Sequence, residues 1–460
     1  MPALRLALPC CAVLVACASK PPDPPPATWR PGVVFQTARE VNGRGFLDRK
    51  GLIHTHSVNS HDACDGEPRV DGGINEPCFG DFRRDLCRAK HDFVFLTDHP
   101  DLFASVDFPD TLLYRADRGD QLVTHEAGPA ANWAACPDAP PALILAGAET
   151  DGLLPVGLEA HVPGRAAIYN SNTPSSLDEV KAHGAVALVA HTEGWTAERL
   201  AALPLDGFEM FNLHRSSLKN AGIAAELILN KVDKGDFDGL PEPDAFFTAF
   251  ALDDDAYWST WGTTLARGAK RVTTMGTDCH RNTFPQLLQD GERIDSYRRM
   301  MIAFSNHLLV KPKPDGTWDD RDLKDALRAR RLYGAFDFLG TPEGFDFVAR
   351  VGGAVHEMGE EVSLAAGVTL ELSRPTVKDL DPAAEAPLVR LRILKAREGG
   401  WDTVAESTDG PVTFTASEPG AYRAEARITP RHLRSFIGRR GDFIKAERPW
   451  VYSNAIFVTP

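Results

Sequence analysis

Five short apolar runs, each ending in histidine, aspartate or glutamate, constrain this chain more than any other feature. Gly51-Leu52-Ile53 leads into His54-Thr55-His56, Phe93 to Leu96 into Thr97-Asp98-His99, and Ala142 to Ala148 into Glu149. Ala185 to Ala190 leads into His191, and Arg271 to Thr277 into Asp278-Cys279-His280. Apolar runs of this length, separated by helix-length spacers, are what strands covered on both faces look like. In an α/β barrel the catalytic residues come from the C-terminal ends of several strands that share one mouth. The runs therefore predict an α/β fold with a single clustered site.

The ligand chemistry of the first run is the densest. In an extended segment, positions i and i+2 point to one side, so His54 and His56 can offer two imidazoles to one cation. Neutral imidazole suits zinc, manganese or iron, and a nearby carboxylate can hold a second ion. A lone histidine at a strand end is more often a hydrogen-bonded structural residue, but five runs with the same polarity make a shared site the stronger reading.

Taken in order, these motifs resemble the PHP (polymerase and histidinol phosphatase) family of metal-dependent phosphoesterases, over residues 50–285. The shared pattern is an HxH with a following acid, a TDH after a strand, a glutamate after an apolar strand, single histidines and a final (S/T)DxH. The resemblance implies a distorted (β/α)7 barrel carrying two or three divalent ions, zinc, manganese or iron. It implies that His54, His56, Glu149 and Asp278 hold one ion, with Glu149 bridging to a second held by His161 and His191. Asp62, His99 and His280 would then hold a third. The acid after HxH varies by one position in the family, so His61 competes with Asp62; Asp62 is preferred because Ser60-His61-Asp62-Ala63 matches the pattern. His161 is placed by its distance after Glu149, with His214 as its substitute and otherwise a rim residue. Asp98 is expected to orient the His99 imidazole, and Arg281 is a candidate phosphate contact.

The implied chemistry is hydrolysis by a metal-activated water, with no protein nucleophile: clustered cations lower the pKa of water towards about 7 and clamp a phosphoryl group. The chain contains no Gly-x-Ser-x-Gly elbow, Walker loop or GxGxxG. The expected substrate is a small phosphomonoester or phosphodiester. Hydrolysis of a non-phosphate bond is the alternative, because one barrel mouth hosts several chemistries; a non-catalytic metal-containing binding lipoprotein is the other.

The N-terminal residues address location. Arg5, an apolar stretch from Leu6 to Ala16 and Leu14-Val15-Ala16-Cys17 resemble a bacterial lipoprotein signal, which implies cleavage after residue 16, a lipidated Cys17 and attachment to an outer membrane or cell surface. The apolar stretch is shorter than the about 20 residues a spanning helix needs. Residues 17–44, with prolines at 21, 22, 24, 25 and 26, read as a stiff tether. Among the remaining cysteines, Cys64, Cys78, Cys87 and Cys136 allow three disulfide pairings, Cys64 with Cys78 and Cys87 with Cys136 being one, and export would favour their oxidation. Cys279 inside the last motif reads as a buried small residue.

The 460-residue length fits a barrel over residues 45–341 and a second unit over 342–460. In the latter, Val389, Leu391 and Ile393 alternate with arginines, and Tyr422, Ala424, Ala426 and Ile428 alternate with Arg423, Glu425 and Arg427, which predicts a small antiparallel β-sandwich. A formal net charge of −14 disfavours a polymeric nucleic acid as partner; the basic cluster of Arg431, Arg434, Arg439 and Arg440 reads as a solvated surface. Residues 252–261, rich in aspartate and aromatics, read as a packed insertion or a lid.

Overall fold

The protein is described from a computed structural model covering residues 28–150, 152–223, 225, 242–438, 441, 442 and 444–460. The signal-like segment, Cys17, the prolines of the tether, and Arg439 and Arg440 lie outside the described residues.

Five strands, Leu47–Thr55, Phe93–Phe95, Ala142–Gly147, Gly207–Asn212 and Val272–Cys279, are joined by parallel pairings. Leu47–Thr55 lies in the middle, with Phe93–Phe95 on one side and Val272–Cys279 on the other. Their apolar runs are continuous because both faces are covered. Phe93, Phe95, Leu143 and Leu145 enter one core, while Val94, Leu96, Ile144 and Ala146 enter the other. All five strands therefore deliver their C-terminal ends, and the polar residues that follow, to one edge.

The expected (β/α)7 barrel with an appended sandwich is corrected by the strand pairing. The parallel run belongs to a 17-stranded mixed sheet in which antiparallel pairings predominate and which does not close as a barrel. Chain length explains part of the difference. Only residues 148–153 separate Ala142–Gly147 from Leu154–Leu158, too few for the crossover a parallel neighbour needs, so those two strands pair antiparallel. On the other side of Ala142–Gly147, the strand Gly128–Ala134 also pairs antiparallel, so residues 101–135 end in part of the sheet itself. The first half of Leu47–Thr55 similarly takes Ser305–Val310 as an antiparallel neighbour.

The C-terminal strands join the same sheet. Arg448–Ser453 pairs with Leu332–Ala335, so hydrogen bonding runs across the boundary at residues 341 and 342. Four shorter strands, Phe347–Val351, Ala354–His356, Val368–Leu372 and Val412–Thr415, form a separate antiparallel sheet. The alternation expected of a half-exposed strand fails in Gly420–Thr429: Arg423, Glu425 and Arg427 are buried along with Tyr422, Ala424, Ala426 and Ile428. Arg423 and Arg427 point towards residues 253–261, where the helix Asp255–Ala266 packs. Residues 252–261 are thus packed against the C-terminal strands.

Two disulfides, Cys64–Cys78 and Cys87–Cys136, tie the helix Glu76–Arg88 to its neighbouring loops at both ends. The helix Asp255–Ala266 approaches the turn at Gly400 so closely that a Cβ on Gly262 would lie 2.0 Å from the Gly400 carbonyl oxygen. Backbone cannot yield as a flexible side chain can, so Gly262→Ala is expected to cost about 1–3 kcal/mol. A melting temperature equal to the parent's in thermal denaturation would contradict that close approach.

Candidate metal centre

The site forms where the parallel strands end. His54 does not reach it by simple strand alternation: the ladder is irregular between Ile53 and Thr55, and His54 has φ 78°. The bulge turns its ring so that the His54 and His56 centroids lie 5.4 Å apart. His191 and Asp278 also have positive φ, 51° and 54°. Left-handed backbone at three non-glycine residues is costly, and it clusters where side-chain placement outweighs backbone comfort.

Asp278 occupies the middle. Its Oδ1 lies 3.3 Å from His54 Nε2, 3.4 Å from His56 Nε2 and 3.3 Å from His280 Nδ1. Its Oδ2 lies 3.6 Å from His191 Nε2 and 3.3 Å from His214 Nδ1. Around it, four sets of donor atoms each fall within 4.8 Å of one another: His56 with Asp62, His99 and His280; His54 with Glu149 and His191; His54 with His56 and Asp278; and His214 with Asp278 and His280. Glu149 links two of them, with Oε2 3.0 Å from His99 Nδ1 and Oε1 3.5 Å from His191 Nε2.

The expected ligands do not all converge. His161 stands apart, its Nδ1 paired with the Tyr169 hydroxyl at 2.9 Å and its Nε2 with the Val106 carbonyl at 2.7 Å, so both nitrogens are engaged. His214 takes part in the cluster instead. Between the two neighbours, Asp62 faces His280 at 3.3 Å, whereas the more exposed His61 turns to Asp101. Asp98 does not orient His99; it accepts hydrogen bonds from the Ser57 backbone N–H at 2.5 Å and hydroxyl at 2.8 Å, fixing the loop after His56. Burial pushes the Asp98 carboxyl up to about 7. Arg281 is paired with Asp81 at 3.1 Å. Cys279 is buried.

Two carboxylates absent from the sequence reading stand behind the histidines. His54 Nδ1 lies 2.6 Å from Glu209 Oε2, and both side chains are fully buried. Asn212 Nδ2 donates to Glu209 Oε1 at 3.0 Å. Glu209 sits inside the apolar run Phe208 to Leu213, and an acid in a buried strand demands a partner; that was its signal in the sequence. Glu193 Oε1 lies 3.8 Å from His191 Nδ1 and accepts, at Oε2, from the Tyr257 hydroxyl at 2.6 Å.

The electrostatics follow from this density of buried acids. Burial alone would depress the imidazoles, but Glu209 and Asp278 raise His54 well above its ordinary value. Asp62 and Glu149 likewise outweigh burial at His99, raising it to about 11. Glu193, Asp278 and Glu209 take His191 to about 9. His56 moves the other way, well down, through burial and the neighbouring His280 and His99. His54, His99 and His191 are thus held towards the charged form, while burial holds His56 and His280 towards the neutral one. His54 Nε2 and His56 Nε2 are nevertheless buried without hydrogen-bond partners, since Asp278 Oδ1 lies at ion-pair distance but out of hydrogen-bonding geometry. Buried polar atoms are rarely left unpaired; imidazole nitrogens aimed among carboxylates fit coordination of a cation. His125, Glu159 and Asp320 form another compact set, but Lys324 Nζ already lies 2.7 Å from Glu159 and 2.9 Å from Asp320, so an ammonium supplies the positive charge there.

Comparison of the chain with protein-family models, curated proteins and solved structures gave no match. The functional reading therefore rests on this geometry.

If Glu209 fixes the His54 tautomer, Glu209→Gln should weaken binding of an ion held by His54 about 10- to 100-fold, read by competition with a chromophoric chelator. Unchanged affinity would show that His54 needs no such partner.

Proposed function

We propose that this chain is a metal-dependent phosphoric ester hydrolase of the PHP kind, acting on a phosphomonoester or small phosphodiester at a centre of two or three divalent ions. The observation that carries the reading is the pair of buried Nε2 atoms of His54 and His56, which make no hydrogen bond and stand among Glu149, Asp278 and four further histidines. His56, Asp62, His99 and His280 would hold one ion; His54, Glu149 and His191 would hold another, with Asp278 within reach of both. Such mixed nitrogen and oxygen donor sets suit zinc, manganese or iron. Divalent ions held there would supply charge to neutralise a phosphoryl group and would lower the pKa of water towards about 7.

The chain's own residues support water as the nucleophile. The Ser57 hydroxyl is committed to Asp98, and the Ser60 hydroxyl donates to Asp62 at 2.9 Å. Burial holds the Cys279 thiol well above its ordinary pKa, in the unreactive form. Glu149 and Asp278 place carboxylates between the histidine sets and would bring the ions they help to hold close together. The net charge of −14 works against a polyanion such as nucleic acid.

We also infer export, with lipid attachment at Cys17. The support is the lipobox and the two disulfides, which persist in oxidising compartments. No helix among the described residues is long and apolar enough to cross a membrane.

Elemental analysis of protein expressed with manganese, iron or zinc, alongside phosphomonoester and phosphodiester panels, tests the proposal. Less than one transition metal per chain would overturn it. His56→Ala and Asp278→Ala should each reduce turnover to background, while His161→Ala, whose nitrogens are engaged elsewhere, should keep metal and activity. The reverse pattern would misplace the centre.

A further inference from the structure

The C-terminal strands reach the centre through one helix. Arg423, fully buried on Gly420–Thr429, places its guanidinium 4.2 Å from the ring centres of both Trp258 and Trp261, 4.5 Å from Trp401 and 5.2 Å from Tyr452. Its Nη2 lies 3.2 Å from the buried Glu425, while Nε and Nη1 have no hydrogen-bond partner. Aromatic faces therefore stand where acceptors would, the arrangement in which a desolvated cation is held most firmly. Trp258 and Trp261 belong to the helix Asp255–Ala266; Trp401, Arg423 and Tyr452 come from the C-terminal strands.

The residues before and along that helix are gripped from the same side. Asp253 accepts from Arg427 at 2.7 Å and from the Tyr452 hydroxyl at 2.6 Å. The Trp401 indole N–H donates to the Trp258 carbonyl at 3.1 Å, and the Gly399 N–H to the Thr263 hydroxyl at 2.9 Å. Between these anchors, Tyr257 points the other way and donates its hydroxyl to Glu193. Glu193 in turn faces Nδ1 of His191, whose Nε2 faces Glu149 and Asp278.

We propose that Tyr257 and Glu193 are positioning residues for the His191 imidazole, and that the C-terminal strands serve the metal centre by holding the Tyr257 helix in place through Arg423. The inference rests on the metal-centre reading. A carboxylate behind a ligating imidazole sets its orientation and basicity, and losing such support costs metal affinity about 10- to 100-fold. Glu193 needs its own restraint because His191 and Glu193 lie on the partly exposed side of the site, each about a quarter exposed. The Tyr257 hydroxyl supplies it.

The test uses the full chain and titrates it with Zn²⁺ against a chromophoric chelator, and with Co²⁺ while recording the visible ligand-field spectrum. Tyr257→Phe keeps the ring and removes only the hydroxyl, so folding should persist. It should weaken one ion of the set about 10- to 100-fold and alter the cobalt spectrum, with the thermal midpoint of the metal-free protein unchanged. Glu193→Gln should do the same, and Glu193→Asp should partly restore binding. Arg423→Met, which loosens the helix from a distance, should weaken the same ion and spare the others. Wild-type protein that binds no ion would remove the underlying reading; wild-type binding with identical affinities and spectra in Tyr257→Phe and Glu193→Gln would overturn this inference alone.

Discussion

A buried aspartate surrounded by imidazoles is the interaction on which the rest of the structure depends. Asp278 lies within 3.6 Å of nitrogens from five histidines, His54, His56, His191, His214 and His280. A carboxylate taken from water into such a site is costly unless positive charge or hydrogen bonds replace its hydration. The surrounding rings can supply that charge only if each is turned towards the same point. Three turns of backbone into the left-handed region, at His54, His191 and Asp278, accomplish the turning. The strain is spread over three strand ends, and the strands that bear it are buried on both faces, so each end is over-determined by packing.

The sheet serves this arrangement by direction more than by closure. Parallel strands send all their C-terminal ends the same way, and five of them bring most of the cluster to one edge. Antiparallel neighbours flank the run, and the connections on either side of Ala142–Gly147, to Gly128–Ala134 and to Leu154–Leu158, are too short for crossover helices. Nothing in the chemistry of the site requires a closed barrel; it requires that several strand ends be rigid and adjacent. A mixed sheet with two cores meets that requirement.

The parts of the site legible in the sequence were those carried by pattern. Apolar runs ending in His54, His99, Glu149, His191 and Asp278 marked strand ends, because a strand buried on both faces admits a charged residue only where a partner is built for it, as at Glu209. Pairing direction was not legible, since a run buried on two faces looks the same in parallel and antiparallel neighbours. His161 was assigned by spacing, and spacing says nothing about what a side chain meets: Tyr169 and Val106 occupy its nitrogens, while His214, at the end of a sixth run, joins the cluster. Alternation misled in Gly420–Thr429 for a related reason. Arg423 and Glu425 read as solvent-facing letters, yet an aromatic box and an ion pair can bury both, and only the helix that closes over them shows it.

The two supporting carboxylates follow one rule under different burial. Glu209, without solvent contact, is held by the neutral amide of Asn212, so no cationic side chain other than His54 pairs with it directly. Glu193 lies nearer the surface and is shared by the Tyr257 hydroxyl and, at 3.5 Å, by Arg215. There water screens the arginine's charge, so a cationic neighbour weakens the hold on His191 less than it would in the interior. A buried acid needs neutral restraint if it is to strengthen a ligand, whereas a rim acid tolerates a charged one. The sequence distance between these supports reflects the same division: Asn212 comes from the end of the strand that carries Glu209, whereas Tyr257 comes from a helix whose position depends on strands at the far end of the chain.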